Sequence, residues 1–311
     1  MDFFTHIKIA PFQQKICHAK QIFSIGSCFA ENIAQRMCRA KFHITSSPMG
    51  TLFNPASIAS SIDILANKHT IADGELHYVN ELWFSYDFHS SFSSINKEKT
   101  QKSMQQSIDQ GAKALANAEV VIVTFGTAWI YRLKSNNKVV ANCHKQPQAL
   151  FNRELLTIEE IIANWGKLLD STLKEKQVIF TISPIRHLSD GLEQNSLSKS
   201  ILRVAIAELV AKHNNALYFP SFEIMNDELR DYRFYADDMT HPSPLAIDYI
   251  WQRFAQTAIS EESQRLMDRI AKISQAASHR PFNPQSDAYH NFCQKQLEEI
   301  EKINQTYSAI D

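Results

Sequence analysis

Five short apolar runs, at residues 21–25, 42–45, 119–125, 177–182 and 216–219, constrain this chain more than any other feature. Each is too short for a helix, is rich in β-branched and aromatic residues, and is separated from most of the others by stretches of helical periodicity. Strands that are apolar at nearly every position, alternating with helices, predict an α/β protein whose parallel sheet is covered on both faces. Such sheets bind ligands outside the carboxyl ends of their strands. That rim is therefore where chemistry-bearing residues should be sought.

The first run ends in Gly26-Ser27-Cys28, and an amphipathic helical pattern follows through Ile33 and Met37. A glycine tolerates a tight strand-to-helix turn, and the unpaired amides at the start of a helix face any anion placed there. The pattern fits a nucleophile-bearing turn. More than two hundred residues later stands Tyr235-Ala236-Asp237-Asp238-Met239-Thr240-His241. An Asp three residues before a His can hold the imidazole in one tautomer and stabilise its protonated form. Asp238 has that spacing and the adjacent Asp237 does not. Because Cys28, Gly126 and Ser183 follow separate runs, and Asp238 with His241 lie beyond the last, the motifs converge on one rim.

An N-terminal Gly-x-Ser or Gly-x-Cys turn paired with a C-terminal Asp-x-x-His resembles the SGNH (GDSL-like) hydrolase superfamily. More narrowly, Gly26-Ser27-Cys28-Phe29-Ala30 is similar to the GSCFA family, named for that string. Gly50-Thr51-Leu52-Phe53-Asn54-Pro55, Phe125-Gly126-Thr127-Ala128-Trp129, Asn142-Cys143-His144-Lys145, Ser183-Pro184-Ile185-Arg186-His187 and Asp231-Tyr232-Arg233-Phe234-Tyr235 extend the likeness over about residues 15–255. The resemblance implies a three-layer α/β/α fold around a five-stranded, mainly parallel sheet, and an ester hydrolase or acyl transferase acting on a small-molecule or carbohydrate ester. Aligned on the superfamily's Gly-Asp-Ser turn, Cys28 is the nucleophile; a register one residue out makes it Ser27. Asp238 and His241 are the proton-handling pair. A thiol at a helix N-terminus beside an imidazole is expected to have its pKa lowered. Gly26, Gly50, Asn54 and Gly126 match positions that shape the turn and the oxyanion donors. The family-like block at Gly126 should carry an asparagine donor where this chain has Ala128, and Asn54, Thr127 or Asn142 are the candidates to replace it. Arg186 and His187, with Lys199 beyond them, are candidates to bind substrate. Alternatives to an enzyme are an inactive binding or scaffold protein on the same fold and a thiol redox sensor.

A chain of 311 residues, 44% of them hydrophobic, can bury one large core. Residues 1–258 read as the main domain, with a hairpin-like insertion around 68–98 whose Leu76, Tyr78, Leu82, Phe84 and Tyr86 alternate with polar residues and which is expected to overhang the site. Helices are expected at 56–67 and 98–117, from Thr157, from Asn195 to about 211, and at 244–258. Residues 259–311 read as a charged helical appendage, broken near Pro281 and Pro284, that could join copies of the chain. With 32 basic and 33 acidic residues the chain offers no electrostatic case for nucleic acid. No apolar run approaches the ~20 residues of a membrane span and no secretory leader is apparent, so a cytoplasmic protein is expected. Five scattered cysteines without CxxC spacing predict neither a disulfide framework nor a metal site, and no cofactor is called for.

Overall fold

The computed structural model describes residues 5–307. In chain order its elements are β1 (Ile22–Gly26), α1 (Cys28–Arg39), β2 (Ile44–Ser46), α2 (Pro55–Ala66), β3 (His77–Val79), β4 (Leu82–Phe84), α3 (Lys97–Asn117), β5 (Val120–Phe125), β6 (Trp129–Leu133), β7 (Val139–Val140), β8 (Phe151–Leu155), α4 (Ile158–Asp170), β9 (Gln177–Ile182), α5 (Leu192–Lys212), β10 (Ala216–Phe219), α6 (Ser221–Glu223), α7 (Pro244–Ala258), α8 (Glu261–Ser278) and α9 (Asp287–Thr306). Residues 1–4 and 308–311 of the two expected units lie outside the described residues.

The five apolar runs form one sheet in the order β10-β9-β5-β1-β2, and every neighbouring pair is parallel. Side chains on a strand alternate between faces, and the alternation sorts this sheet cleanly. Phe23, Ile25, Val121, Val123, Phe125, Val178, Phe180 and Ile182 enter one core with α2, α3, α4 and α5. Ile22, Val120, Ile122 and Ile179 enter the other with Phe29, Ile33 and Met37 of α1 and Ile250 and Phe254 of α7. The result is a three-layer α/β/α fold. On the larger face the fully buried Trp165 of α4 meets Phe125 and Phe180 edge-on at 5.0 and 5.2 Å, while its indole N–H donates to the carbonyl of Pro55 at 3.1 Å. One side chain thus joins α4 both to the sheet and to the start of α2.

Local signals fix the helix ends. Thr157 and Glu160 form the reciprocal capping box their spacing predicts, and Asn54 and Ser243 accept first-turn amides just ahead of Pro55 and Pro244. The hairpin is β3 paired with β4, turned by Asn80 and Glu81, both with φ near +50 to +60°, as a two-residue primed turn requires.

A second sheet, β7-β6-β8, is antiparallel and was not expected from the sequence. Its strands mix charged and apolar residues, as in Phe151-Asn152-Arg153-Glu154-Leu155, so no clean alternation marks them. The hairpin segment packs here: Phe84 and Tyr86 bury with Leu133, Val140 and Phe151. His144 stacks on Phe84 at 4.2 Å, and its Nε2 reaches the carbonyls of Ser85 and Phe88 at 2.9 and 3.1 Å. The Cys143-His144 pair is therefore a structural clasp between the insertion and this sheet. In the tail, α8 and α9 pack through Leu266, Ile270 and Ile303 and are tied by Arg269 to Glu299 at 2.7 Å. Among the described residues no helix is long and apolar enough to cross a membrane.

Gly26 closes β1 at φ +140°, and a Cβ built on it would lie 2.2 Å from the carbonyl oxygen of Thr124. Gly26→Ala should therefore lower the thermal midpoint by at least about 5 °C. Gly74→Ala, where nothing lies within 4 Å, should change it little. Equal midpoints for the two variants would contradict this account of the turn.

Candidate active site

The turn that begins with Gly26 delivers Ser27 and Cys28 to the N-terminus of α1 in different ways. Ser27 is the N-cap residue, only 1% exposed, and its hydroxyl has no hydrogen-bond partner. Cys28 is half-buried, and its Sγ lies 4.0 Å from Nε2 of His241. Of the two sequence candidates, the structure brings Cys28 to the histidine.

His241 sits on a loop closed by a bridge between Tyr235 and Pro242 and by the N–H of Ala236 donating to its carbonyl at 2.7 Å. Within the loop Asp238 accepts the main-chain amides of Thr240 and His241 on Oδ1, each at 2.9 Å, and meets Nδ1 of His241 with Oδ2 at 2.6 Å. The hydrogen bonds from the His241 amide, the His241 ring and the Thr240 amide hold the Asp238 carboxyl down to about 2. An ionised carboxylate only accepts, so the neutral ring carries its proton on Nδ1 and turns the Nε2 lone pair toward Cys28.

The thiol departs from the sequence expectation. Burial pushes its pKa up, with the Glu31 carboxylate adding to the effect, against the amides of Cys28 and Phe29 and the distant charge of Lys199, which pull it down. Desolvation outweighs the helix terminus, so Cys28 is held as a neutral thiol.

The expected oxyanion amides of Gly50 and Gly126 are engaged elsewhere, and the side chains of Asn54, Thr127 and Asn142 are held by local partners. The N–H of Gly50 donates to the carbonyl of Ser47 at 2.7 Å, and Gly50 packs against His89. The amides of Gly126 and Thr127 both donate to the carbonyl of Phe53, at 2.7 and 3.0 Å. The side-chain oxygen of Asn54 caps α2 through Ser57, and the hydroxyl of Thr127 pairs with Ser198 while accepting from the amide of Trp129. Asn142 uses its side-chain oxygen to accept the amide of His144. Arg186 is engaged with aromatic rings. Its guanidinium stacks on Tyr235 at 4.0 Å and lines a cavity of about 320 Å³ with Tyr232, Arg230 and Asp227, while its amide donates to the carbonyl of Thr240 at 3.2 Å. Arg186 therefore braces the loop that carries Asp238 and His241.

The first turns of α5 organise the floor of the site. Asn195 accepts the amide of His187 at 3.0 Å, and Ser198 accepts that of Ala128 at 2.7 Å. Lys199 is fully enclosed, with Nζ donating to the carbonyls of Gly126 and Ser183 at 2.6 and 2.7 Å. It ties together the residues that follow β5 and β9, rather than meeting a substrate as the sequence reading allowed. Burial lowers its pKa to about 7. Its position was legible: Lys199 shares a helical stripe with Leu202 and Ile206. His187 lies beside it with a buried Nε2 that has no partner. Burial, and after it the charge of Lys199, lowers the imidazole to about 4, the nearby Gly126 carbonyl opposing them weakly.

The profile of the GSCFA family matches residues 21–254, and that of the GSCFA domain protein, C-terminal domain, matches residues 270–311. No curated protein matches the chain.

His187 makes folding acid-sensitive. The unfolded chain takes up this proton near 6.5 but the folded protein only near 4, so acidification across that window favours unfolding. The loss should reach roughly 3 kcal/mol at the acid end. In His187→Gln the pH dependence of urea unfolding between about pH 6.5 and 4 should be shallower by that order; parallel curves for variant and wild type would contradict the assignment.

Proposed function

The chain belongs to the GSCFA family, and on that premise we propose that it is an ester hydrolase or acyl transferase of the SGNH type, with a small-molecule or carbohydrate ester as substrate. The observation that carries the reading is the line Asp238–His241–Cys28, with 2.6 Å from carboxylate to ring and 4.0 Å from ring to sulfur. A ring-to-sulfur contact of this length is one that substrate binding can tighten.

Because the thiol rests neutral, His241 acts as a general base and not as one half of a preformed ion pair. Sγ attacks the ester carbonyl as Nε2 takes the thiol proton, and the carbonyl electron pair moves onto oxygen. Collapse of the tetrahedral intermediate breaks the bond to the alcohol, whose oxygen takes the proton from His241. Water, or a second alcohol in the transferase case, then attacks the thioester, returning its proton through Nε2 to Sγ and releasing the acid or new ester. Asp238 remains ionised throughout and steadies the imidazolium.

A binding role without turnover is favoured by one observation, the engagement of the Gly50 and Gly126 amides by main-chain carbonyls. A tightly held ligand with no acyl intermediate would support it. A redox sensor is disfavoured, since peroxide reacts with thiolate and burial keeps Cys28 protonated.

On p-nitrophenyl acetate, His241→Ala and Asp238→Ala should lower kcat/KM by about 10²–10⁴. Both side chains are about half exposed, at 49% and 50%, so the unfolding midpoint should move little. Cys28→Ala should abolish turnover and Ser27→Ala should retain it. Turnover that survives both the His241 and the Asp238 changes would sink the proposal.

A further inference from the structure

An oxyanion needs donors fixed in advance, and this chain carries Ala128 where an asparagine was expected. Of the groups offered as replacements, the hydroxyl of Thr127 pairs with Ser198, while Asn54 and Asn142 accept main-chain amides on their side-chain oxygens, which fixes the two side chains and leaves their Nδ2 groups as donors. The amides of Gly50 and Gly126 are likewise spent on carbonyls.

Gly126 marks a gap in this wall. Its φ lies outside the left-handed region, so its backbone conformation does not demand glycine. Space does: a Cβ there would stand 3.0 Å from the carbonyl oxygen of Phe53 and 3.4 Å from both Nε2 of His187 and Cβ of Ser27. Nε2 of His187 is therefore next to Gly126 on the side of the nucleophile turn, buried and without a hydrogen bond of good geometry, although the Gly126 carbonyl lies close enough to act on the ring. A buried polar atom left unpaired is costly, and a catalytic role is one of the few reasons a fold retains one.

We infer that His187 is a catalytic residue of this site, its Nε2–H donating to the substrate carbonyl oxygen as negative charge develops there, in place of the side chain missing at Ala128. The inference rests on the acyl-transfer reading and deepens it. The ring is held in place from two sides, since the His187 amide donates to Asn195 and the ring edge meets Phe53 at a centroid distance of 6.1 Å. Burial first, and then the charges of Lys199 and His241, disfavour a second proton, so the imidazole stays a neutral donor that does not compete with His241 as an acid. A neutral ring carries one proton, and an oxyanion, which only accepts, selects the tautomer with that proton on Nε2. The amides of Cys28 and Phe29 at the start of α1, which already act on the sulfur, complete the set of donors.

The test compares two reactions of Cys28 in the full-length protein, one that builds an oxyanion and one that does not. Acetylation by p-nitrophenyl acetate passes through a tetrahedral oxyanion; alkylation by iodoacetamide is a direct displacement at carbon. His187→Ala should slow single-turnover acetylation by about 10²–10³, with alkylation within about threefold of wild type. His187→Gln, which keeps an N–H donor, should recover most of the acetylation rate. His187→Leu, which fills the space without a donor, stands in if the alanine variant does not fold and should show the same selective loss. Equal slowing of both reactions, or no slowing of acetylation, would overturn the role of His187 while leaving the acyl-transfer reading intact. A wild-type protein that shows no His241-dependent acetylation would overturn that reading and this inference with it.

Discussion

Parallel pairing of five strands buried on both faces is the constraint from which the rest of this molecule follows. Each strand spends its side chains on one of two apolar cores, so polar groups concentrate where the chain leaves the sheet. β1, β5 and β9 are adjacent, and their register pairs Gly26 with Thr124 and Phe125 with Ile182, so Cys28, Gly126 and Ser183 all leave the sheet at one edge. The helix after β1 and the loop after β10 then need only to lean over that edge for Cys28 to face His241. Lys199 acts at the same edge from below, where its ammonium holds the carbonyls of Gly126 and Ser183 together.

Desolvation governs the electrostatics of the site more than any ion pair does. It holds Cys28 protonated and His187 unprotonated and lowers the Lys199 pKa to about 7, while the exposed Asp238 stays ionised through its hydrogen bonds. Four titratable groups within one rim are thereby pushed in different directions, and separated assignments of this kind are what acid–base chemistry at neutral pH requires. In the proposed reaction the consequence is a thiol that must be deprotonated as it attacks, in the manner of a serine hydroxyl.

Much of this was legible in the sequence because it depends on local pattern. The five apolar runs, the capping box of Thr157 with Glu160, and the three-residue spacing of Asp238 and His241 are each determined within a few residues. What stayed hidden depends on loops meeting across the fold. Nothing local to Gly126 announces that the carbonyl of Phe53 will take its amide. Nor could the shift of the Cys28 thiol be read without knowing how much of α1 is covered. The β7-β6-β8 sheet escaped because its strands are short and Arg132, Arg153 and Glu154 interrupt any alternation, and the stacking of Arg186 on Tyr235 depends on two loops meeting.

The central claim is that Cys28, activated by His241, takes an acyl group from an ester. Its most direct test is peptide-mapping mass spectrometry after brief exposure of wild type and His241→Ala to an activated acetyl ester. The account predicts an acetyl group on Cys28 that is present in wild type and strongly reduced in the variant. Acetyl on Ser27, or equal labelling of Cys28 in both proteins, would contradict it.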